Sequence, residues 1–471
     1  MSDVYRQTLP EVGANALRQL ATYYSQRYPF LLTSVAGARG AHDLLLLGDA
    51  ATLSLHHDGT DFELRGQGDA QQYSTGNDFC SALDCWFAAE ANAERDIENY
   101  PSALFIGGWF LYLSYELAAQ LEPTLRLPID TSQPLAVASR SRAAIVLPHD
   151  ADKPAELVAE HPLPDLVQQV RADLAALGEL SAADRVCEPT HDDPEFSVTD
   201  ADAFTAAVVA AKAAIAAGDV YQANLSREWR TSMDASQTGA LFDALCDANP
   251  SPFAALAHLD GLQIMSSSPE RLVRVTNGQI TTRPIAGTRP RGANADEDQQ
   301  LVAELLAHPK ERAEHVMLID LERNDLGRIC VPGSVHVDEY MGIETYRHVH
   351  HIVSNIAGTL APGTTPGAVL AAVFPGGTIT GCPKVRCMQL IAELEARPRG
   401  AYTGSLGYLA RNGNMDLNIL IRTMTVAQGA LRFSAGAGIV ADSDPQAELA
   451  ETGAKAQGML RAVRSVMPCT G

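Results

Sequence analysis

The most apolar segment of this chain, Ala103 to Tyr115, carries no charge, is rich in aromatics, contains Gly107-Gly108 and is followed by Glu116. It is too short to cross a bilayer, so it predicts a buried strand. Residues from about 15 to 145 read as strands and short helices of one unit. The stretches His149-Asp150-Ala151-Asp152-Lys153-Pro154 and Glu188-Pro189-Thr190-His191-Asp192-Asp193-Pro194 read as linkers around a helix near 164–177.

A second unit starts near residue 197. Thr199 or Asp200 can cap its first helix, an alanine-rich body follows, and Gly218 stops it. Asp219 to Ser226 then reads as a strand. Asn277-Gly278 separates two strand-like runs and is a strong two-residue hairpin signal. Counting back from that turn sets Glu270 opposite Ile285, and Pro269 opposite Ala286, with Pro269 and Pro284 forcing a bulge or a strand end there. Helical patterns cover 295–327, 365–374 and 444–465, while 405–440 reads as strands with turns at Asn412-Gly413 and Gln428-Gly429. Hairpins interspersed with helices predict an α+β fold, with antiparallel β-sheets packed as a sandwich and helices outside. The predicted units are 1–190, including the linker, and 197–467.

Composition narrows the function. The chain has 471 residues, 46% hydrophobic and 20% charged, enough for a large core. A net charge of −22 repels phosphate backbones and anionic membranes, which argues against nucleic-acid and membrane partners. Any anionic substrate needs local cations. Cysteines at 80, 85, 187, 246, 330, 382, 387 and 469 form no CxxC pair, and no signal-type apolar core follows the N-terminus. A reduced, cytoplasmic protein is expected. Cys382 and Cys387 flank a glycine-rich loop and read either as redox-active or as small apolar packing.

Four groups of residues carry candidate chemistry. Glu448, Glu451 and Lys455 share one helix face, which serves either a solvated salt-bridged surface or a metal. Glu311, Glu314 and His315 lie on an earlier helix, ahead of Leu318-Ile319-Asp320-Leu321-Glu322-Arg323-Asn324-Asp325. Carboxylates from two helices suit Mg²⁺, which takes oxygen ligands and keeps positions open for substrate. Phe374-Pro375-Gly376-Gly377-Thr378-Ile379-Thr380-Gly381-Cys382-Pro383-Lys384 lacks the Gly-Lys-Ser/Thr ending of a phosphate loop, but its amides and hydroxyls suit an anion. Ala435-Gly436-Ala437-Gly438 offers the same or a tight sheet turn, and Arg422 in the apolar run Asn418 to Thr423 needs an anionic partner, ligand or structural.

Together and in order, these segments resemble the chorismate-utilising enzymes, above all the large subunits of anthranilate and aminodeoxychorismate synthases. Thr282-Arg283-Pro284-Ile285-Ala286-Gly287-Thr288-Arg289-Pro290-Arg291-Gly292 resembles their signature loop, and the likeness runs from about 197 to 465, with a weaker match at Phe105-Ile106-Gly107-Gly108-Trp109-Phe110. The resemblance implies the fold of anthranilate synthase component I. It assigns Mg²⁺ to Glu314 and Glu451 with Glu448 beside them, and makes Glu270 the acid that protonates the departing C4 hydroxyl. Tyr402 and Arg422 match residues that hold the enolpyruvyl carboxylate, aided by Lys455 and the backbone of Gly436 and Gly438. Thr288, Thr378 and His351 line the implied pocket.

Two positions divide the family. Gln222 stands where water-activating relatives resemble one another in having lysine, which disfavours water and favours ammonia as nucleophile. Ala286 stands where many aminodeoxychorismate synthases have a lysine thought to attack C2. Phe374 to Gly381, Tyr221-Gln222-Ala223-Asn224-Leu225 and His350-His351 nevertheless resemble that branch. Pro29-Phe30-Leu31-Leu32-Thr33-Ser34 also lacks the glutamate of the tryptophan-holding Leu-Leu-Glu-Ser element. The implied reaction is amination of chorismate to 4-amino-4-deoxychorismate for p-aminobenzoate and folate. Anthranilate synthesis is the alternative, and a non-catalytic metabolite-binding subunit is a third reading. With no glutaminase segment recognisable here, ammonia is expected from a glutamine amidotransferase subunit.

Overall fold

Strands with consecutive apolar residues need cover on both faces, and four layers supply it. The computed structural model describes residues 4–35, 42–90, 105–150, 152–179, 194–346 and 349–467. The predicted linker at 188–193, Ala103, Ala151, Cys187 and Cys469 lie outside the described residues. Among the described residues, one antiparallel sheet has 12 strands and a second has 11. In the strand Phe30–Thr33, Leu31 faces the helices outside the first sheet. Phe30 points between the sheets and stacks on Phe110 of the second at 3.9 Å. The two-residue period of a strand thus serves two cores at once.

Helices Ala14–Tyr23, Pro164–Glu179, Thr238–Ala248 and Pro445–Val466 cover the outer face of the first sheet. Phe79–Glu90, Pro309–Gly327 and Pro366–Val373 cover that of the second. Each sheet takes strands from both sides of residue 190. Phe30–Thr33 pairs with Phe253–Leu259 in the first sheet, and Gly108–Leu113 pairs with Ser405–Ala410 in the second.

Local signals are realised closely. Asp200 caps Ala201–Ala216 by accepting the Ala203 N–H at 2.9 Å, and the predicted strand after it runs from Gln222 to Ser232. The Asn277-Gly278 hairpin sets Thr276 opposite Gln279 and keeps that register to Arg274 opposite Thr281. Pro284 has no N–H to continue the ladder, so one strand ends at Thr282 and the next, Ile285–Pro290, pairs with Val349–Thr359.

One expectation fails. Asn418 to Thr423 is not a single apolar strand. Met415–Asn418 belongs to the second sheet and Thr423–Ala427 to the first, and the chain crosses between them with Arg422 at φ 51°. The crossing takes Arg422 out of both ladders, and burial still lowers its guanidinium from the ordinary value. No helix among the described residues is long and apolar enough to cross a membrane. The six described cysteines are all free.

Candidate active site

The inner wall of the site is built from two paired strands, Gln222–Ser232 and Ala430–Ile439, with Asn224 opposite Gly438 and Ser226 opposite Gly436. A Cβ at Gly436 would lie 2.6 Å from the Tyr402 hydroxyl and 2.7 Å from Asn224 Oδ1, and one at Gly438 would lie 2.5 Å from Gln222 Nε2. Both glycines are therefore required by close approach, which brings Tyr402, Asn224 and Gln222 against bare backbone. The run read as a cradle or a turn is a strand, not a turn. Gln222 Nε2 donates to Glu314 Oε1 at 2.9 Å, so the helix Pro309–Gly327 is tied to this wall. On the other side, Lys455 of the final helix donates to the Gly436 carbonyl at 3.1 Å and pairs with Glu451 at 2.7 Å.

Glu270 sits just before the strand Arg271–Thr276 and is buried, with Oε1 lacking any hydrogen-bond partner among the described residues. Burial pushes its carboxyl up to about 7, opposed by Thr378, the Ile285 amide, and the charges of Lys455 and Arg422. The counted pairing of Glu270 with Ile285 is not formed, because the ladder ends at Arg274 opposite Thr281 and Ile285 pairs with Val353, but the Ile285 amide does act on the Glu270 carboxyl. A carboxyl held there is an acid at neutral pH. Glu322, about two turns beyond Glu314 on the same helix, is likewise buried and raised to about 8, first by burial and then partly by Asp325 and Glu270.

The signature loop supplies a third side. Gly287, at φ 65°, makes the bulge between Ala286, opposite Ile352, and Thr288, opposite His351. His351 Nδ1 lies 2.9 Å from Thr288 Oγ1 and 3.3 Å from the Gly287 carbonyl. That carbonyl only accepts, so Nδ1 carries the hydrogen. Nε2 is then a bare acceptor, buried without a partner among the described residues. Burial, helped by the charge of Arg422, lowers this histidine to about 4, so it is neutral at pH 7. Ala286 is buried and has no amine to offer.

Arg422 completes the ring of residues. Its side chain has no hydrogen bond or ion pair among the described residues, and Tyr346 and Glu270 are the acidic groups that act on it. A guanidinium so placed suits a carboxylate ligand. Thr378 lies in the turn Gly377–Ile379, next to Glu270. The structure thus links Gln222, Glu314, Gly436, Gly438, Tyr402, Lys455 and Glu451 along one wall, and Glu270, Thr378, Arg422, His351 and Thr288 across from it. The effect of Lys455 and Arg422 on both Glu270 and His351 joins the two sets.

Glu448, Glu451 and Glu314 do not form a closed cluster. Among the described residues no three His, Cys, Asp or Glu side chains stand together as a metal cage. Glu451 and Lys455 are half exposed. Mg²⁺ usually binds one or two protein carboxylates and completes its shell with substrate oxygens and water, and Glu314 and Glu451 are the carboxylates that the resemblance offers it. Thr33 and Ser34 lie apart from this site. They line a cavity of about 80 Å³ between the sheets with His42, Phe253, Arg274 and Tyr408. Sequence reasoning gave no role to Glu322 or Tyr346. The spacing of Glu322 from Glu314 on one helix was a usable signal, whereas a loop tyrosine carries none.

Residues 45–461 match the family model described as chorismate binding enzyme, and the chain belongs to that family. It is 39% identical to anthranilate synthase component 1 of Synechocystis sp., over 94% of this chain and 92% of that protein. It is also 37% identical to aminodeoxychorismate synthase component 1 of Bacillus subtilis, over 93% and 92% respectively. A second Synechocystis protein, named anthranilate synthase component I-like protein, is 49% identical over 57% of this chain, which spans only 56% of that relative. The crystal structure of anthranilate synthase component I from Streptococcus pneumoniae TIGR4 shares the fold, with a TM-score of 0.76 at 30% identity over 90% of this chain and 93% of that one.

Proposed function

We propose that this enzyme aminates chorismate at C4 with ammonia to give 4-amino-4-deoxychorismate, a precursor of p-aminobenzoate. One observation carries the choice of nucleophile. Gln222, beside Glu314, is a neutral amide at the position where a water-activating base would stand. Glu270 donates the proton that lets the C4 oxygen leave as water, which hydroxide alone would not do readily. Arg422, Lys455 and Tyr402 hold the carboxylates of the substrate against the Gly436–Gly438 backbone. His351, with Nε2 bare, accepts a hydrogen bond or proton inside the pocket.

Glu314 and Glu451 would hold Mg²⁺, with Glu448 nearby, and a bound Mg²⁺ would supply positive charge to a substrate carboxylate. Ammonia would come from a glutamine amidotransferase subunit. The likeness of Phe374 to Gly381 to aminodeoxychorismate synthases supports C4 over C2. Ala286 favours the second reading, anthranilate formation, because it offers no amine for a covalent route through C2.

Purified protein incubated with chorismate, Mg²⁺ and ammonium salt, with products resolved by mass, tests the reading. Aminodeoxychorismate supports it and fluorescent anthranilate overturns the choice of carbon. Absence of turnover, even with a competent glutaminase, points to a non-catalytic subunit. Glu451→Gln is expected to reduce turnover more than Ala286→Lys, and near-normal rates in Glu451→Gln would contradict the metal assignment.

A further inference from the structure

The arginines of the signature loop have no part in the chemistry above, yet two of them converge on one residue outside it. Arg283 Nε donates to Glu344 Oε1 at 2.7 Å, and the other oxygen of Glu344 accepts the Tyr346 hydroxyl at 2.5 Å. Arg291 Nη1 donates to the Tyr346 carbonyl at 3.2 Å while its Nε and Nη2 hold Asp298, each at 2.8 Å. Asp298 in turn bonds the ring of His350 at 2.9 Å. The Tyr346 N–H donates to the Val349 carbonyl at 2.8 Å, closing the turn between His336–Thr345 and Val349–Thr359. Tyr346 is therefore fixed at its hydroxyl, its carbonyl and its amide.

What this anchoring presents to the site is the ring. It meets the imidazole of His351 in an edge arrangement at 5.9 Å between centroids, and its phenol lies within electrostatic reach of Arg422. We propose that Tyr346 is a positioning residue, clamped by Arg283 and Arg291, whose ring fixes His351 with Nε2 aimed into the pocket and closes the Arg422 side against water. The inference rests on the proposed amination only for its kinetic readout.

The groups facing His351 are Gly287 and Thr288 from the signature strand, Tyr346 and Glu344 from the adjoining strand and turn, Arg422 from the sheet crossing, and Lys455 from the final helix. Burial is the first cause of the low value of His351, so removing the ring hydrates the imidazole and its titration moves up from about 4 toward the ordinary value.

Imidazole ¹⁵N spectra of protein labelled at histidine, with His351 assigned from the spectrum of His351→Gln, read this directly. In Tyr346→Ala the His351 midpoint is expected to rise by at least about one pH unit, with the Nδ1–H tautomer no longer dominant. Turnover is expected to fall about 10- to 100-fold with little change in chorismate KM. Tyr346→Phe keeps the ring and its backbone contacts to Arg291 and Val349 but loses the bond to Glu344, and is expected to restore most of the His351 signal and of the rate. A folded Tyr346→Ala with unchanged midpoint, tautomer and turnover overturns the proposal. So does a Tyr346→Phe variant that behaves like Tyr346→Ala. If wild type does not turn chorismate over but the ¹⁵N shifts follow the expected pattern, the functional reading fails and the positioning role stands.

Discussion

At the scale of single residues, burial moves the titration of groups in the candidate site far from their ordinary values. Glu270 has its carboxyl raised to about 7, chiefly by desolvation. Its folded value lies above its unfolded one, so its contribution to stability is fully present below the unfolded value. That contribution is lost as pH rises through the folded value. Ionised Glu270 thus weakens the fold above neutrality, where the acid form that the proposed reaction requires also disappears. Glu270→Gln is expected to lower turnover by about 100-fold or more. The same change should stabilise the protein at pH 8 by roughly 0.5–2 kcal/mol, with a smaller gain at pH 5. Thermal melts at the two pH values, alongside rate measurements, check both; a variant less stable at pH 8 than wild type would contradict the burial argument. Glu270 and His351 were named through the family resemblance, and Lys455 through its spacing from Glu448 and Glu451 on one helix face. Tyr346 was not legible, because its role comes from Arg291, 55 positions away, and from Arg283, which reaches it through Glu344. No local pattern records such contacts.

At the scale of elements, the strand Ala430–Ile439 shows what the sequence leaves open and geometry resolves. Its alternation was read either as a cradle or as a turn, because glycine serves both. Only the neighbours decide. Gly436 faces the Tyr402 hydroxyl, Asn224 Oδ1 and the Leu225 carbonyl, all within 2.8 Å of where a Cβ would stand. Gly436→Ala is expected to cost about 1–3 kcal/mol of stability through overpacking and to raise chorismate KM about tenfold or more by displacing Tyr402. Gly178→Ala in the helix Pro164–Glu179, with nothing within 4 Å of the added methyl, is the control and should be neutral or slightly stabilising. Equal effects at the two positions, in melting temperature and KM, would remove the cradle argument. The crossing at Ile419–Arg422 has the converse lesson. An apolar run with one arginine reads as a strand with a buried cation, because nothing local marks the step from one sheet to another. The hairpin at Asn277-Gly278, by contrast, was legible because its turn chemistry is local and fixes register by counting.

At the scale of the whole molecule, the fold class was legible because hairpin signals and capped helices alternate along the entire chain. The sharing of sheets was not, since strand pairing across some two hundred residues leaves no trace in periodicity. Each sheet is nevertheless completed by strands from both sides of residue 190, through Phe30–Thr33 on Phe253–Leu259 and Gly108–Leu113 on Ser405–Ala410. Phe30, Phe110 and Tyr112 from the early part pack between the sheets with Ala255, Ile264, Leu406 and Tyr408 from the later part. Separating the halves would leave interior strand edges unpaired and this apolar layer in water, both strongly unfavourable. A fragment of residues 197–467, although it carries every candidate catalytic group, is therefore expected to be insoluble or to lack a cooperative melt. Co-expression with residues 1–190 should restore a soluble pair that elutes together and regains turnover. A 197–467 fragment that folds alone, with amide exchange at Ala254 and Leu256 as slow as in the full chain, would show that the shared sheets are incidental to the stability of the catalytic part. Fast exchange at the Ala254 and Leu256 amides in the fragment, slowed on adding the partner fragment, is the outcome that the pairing of this strand with Phe30 to Thr33 requires.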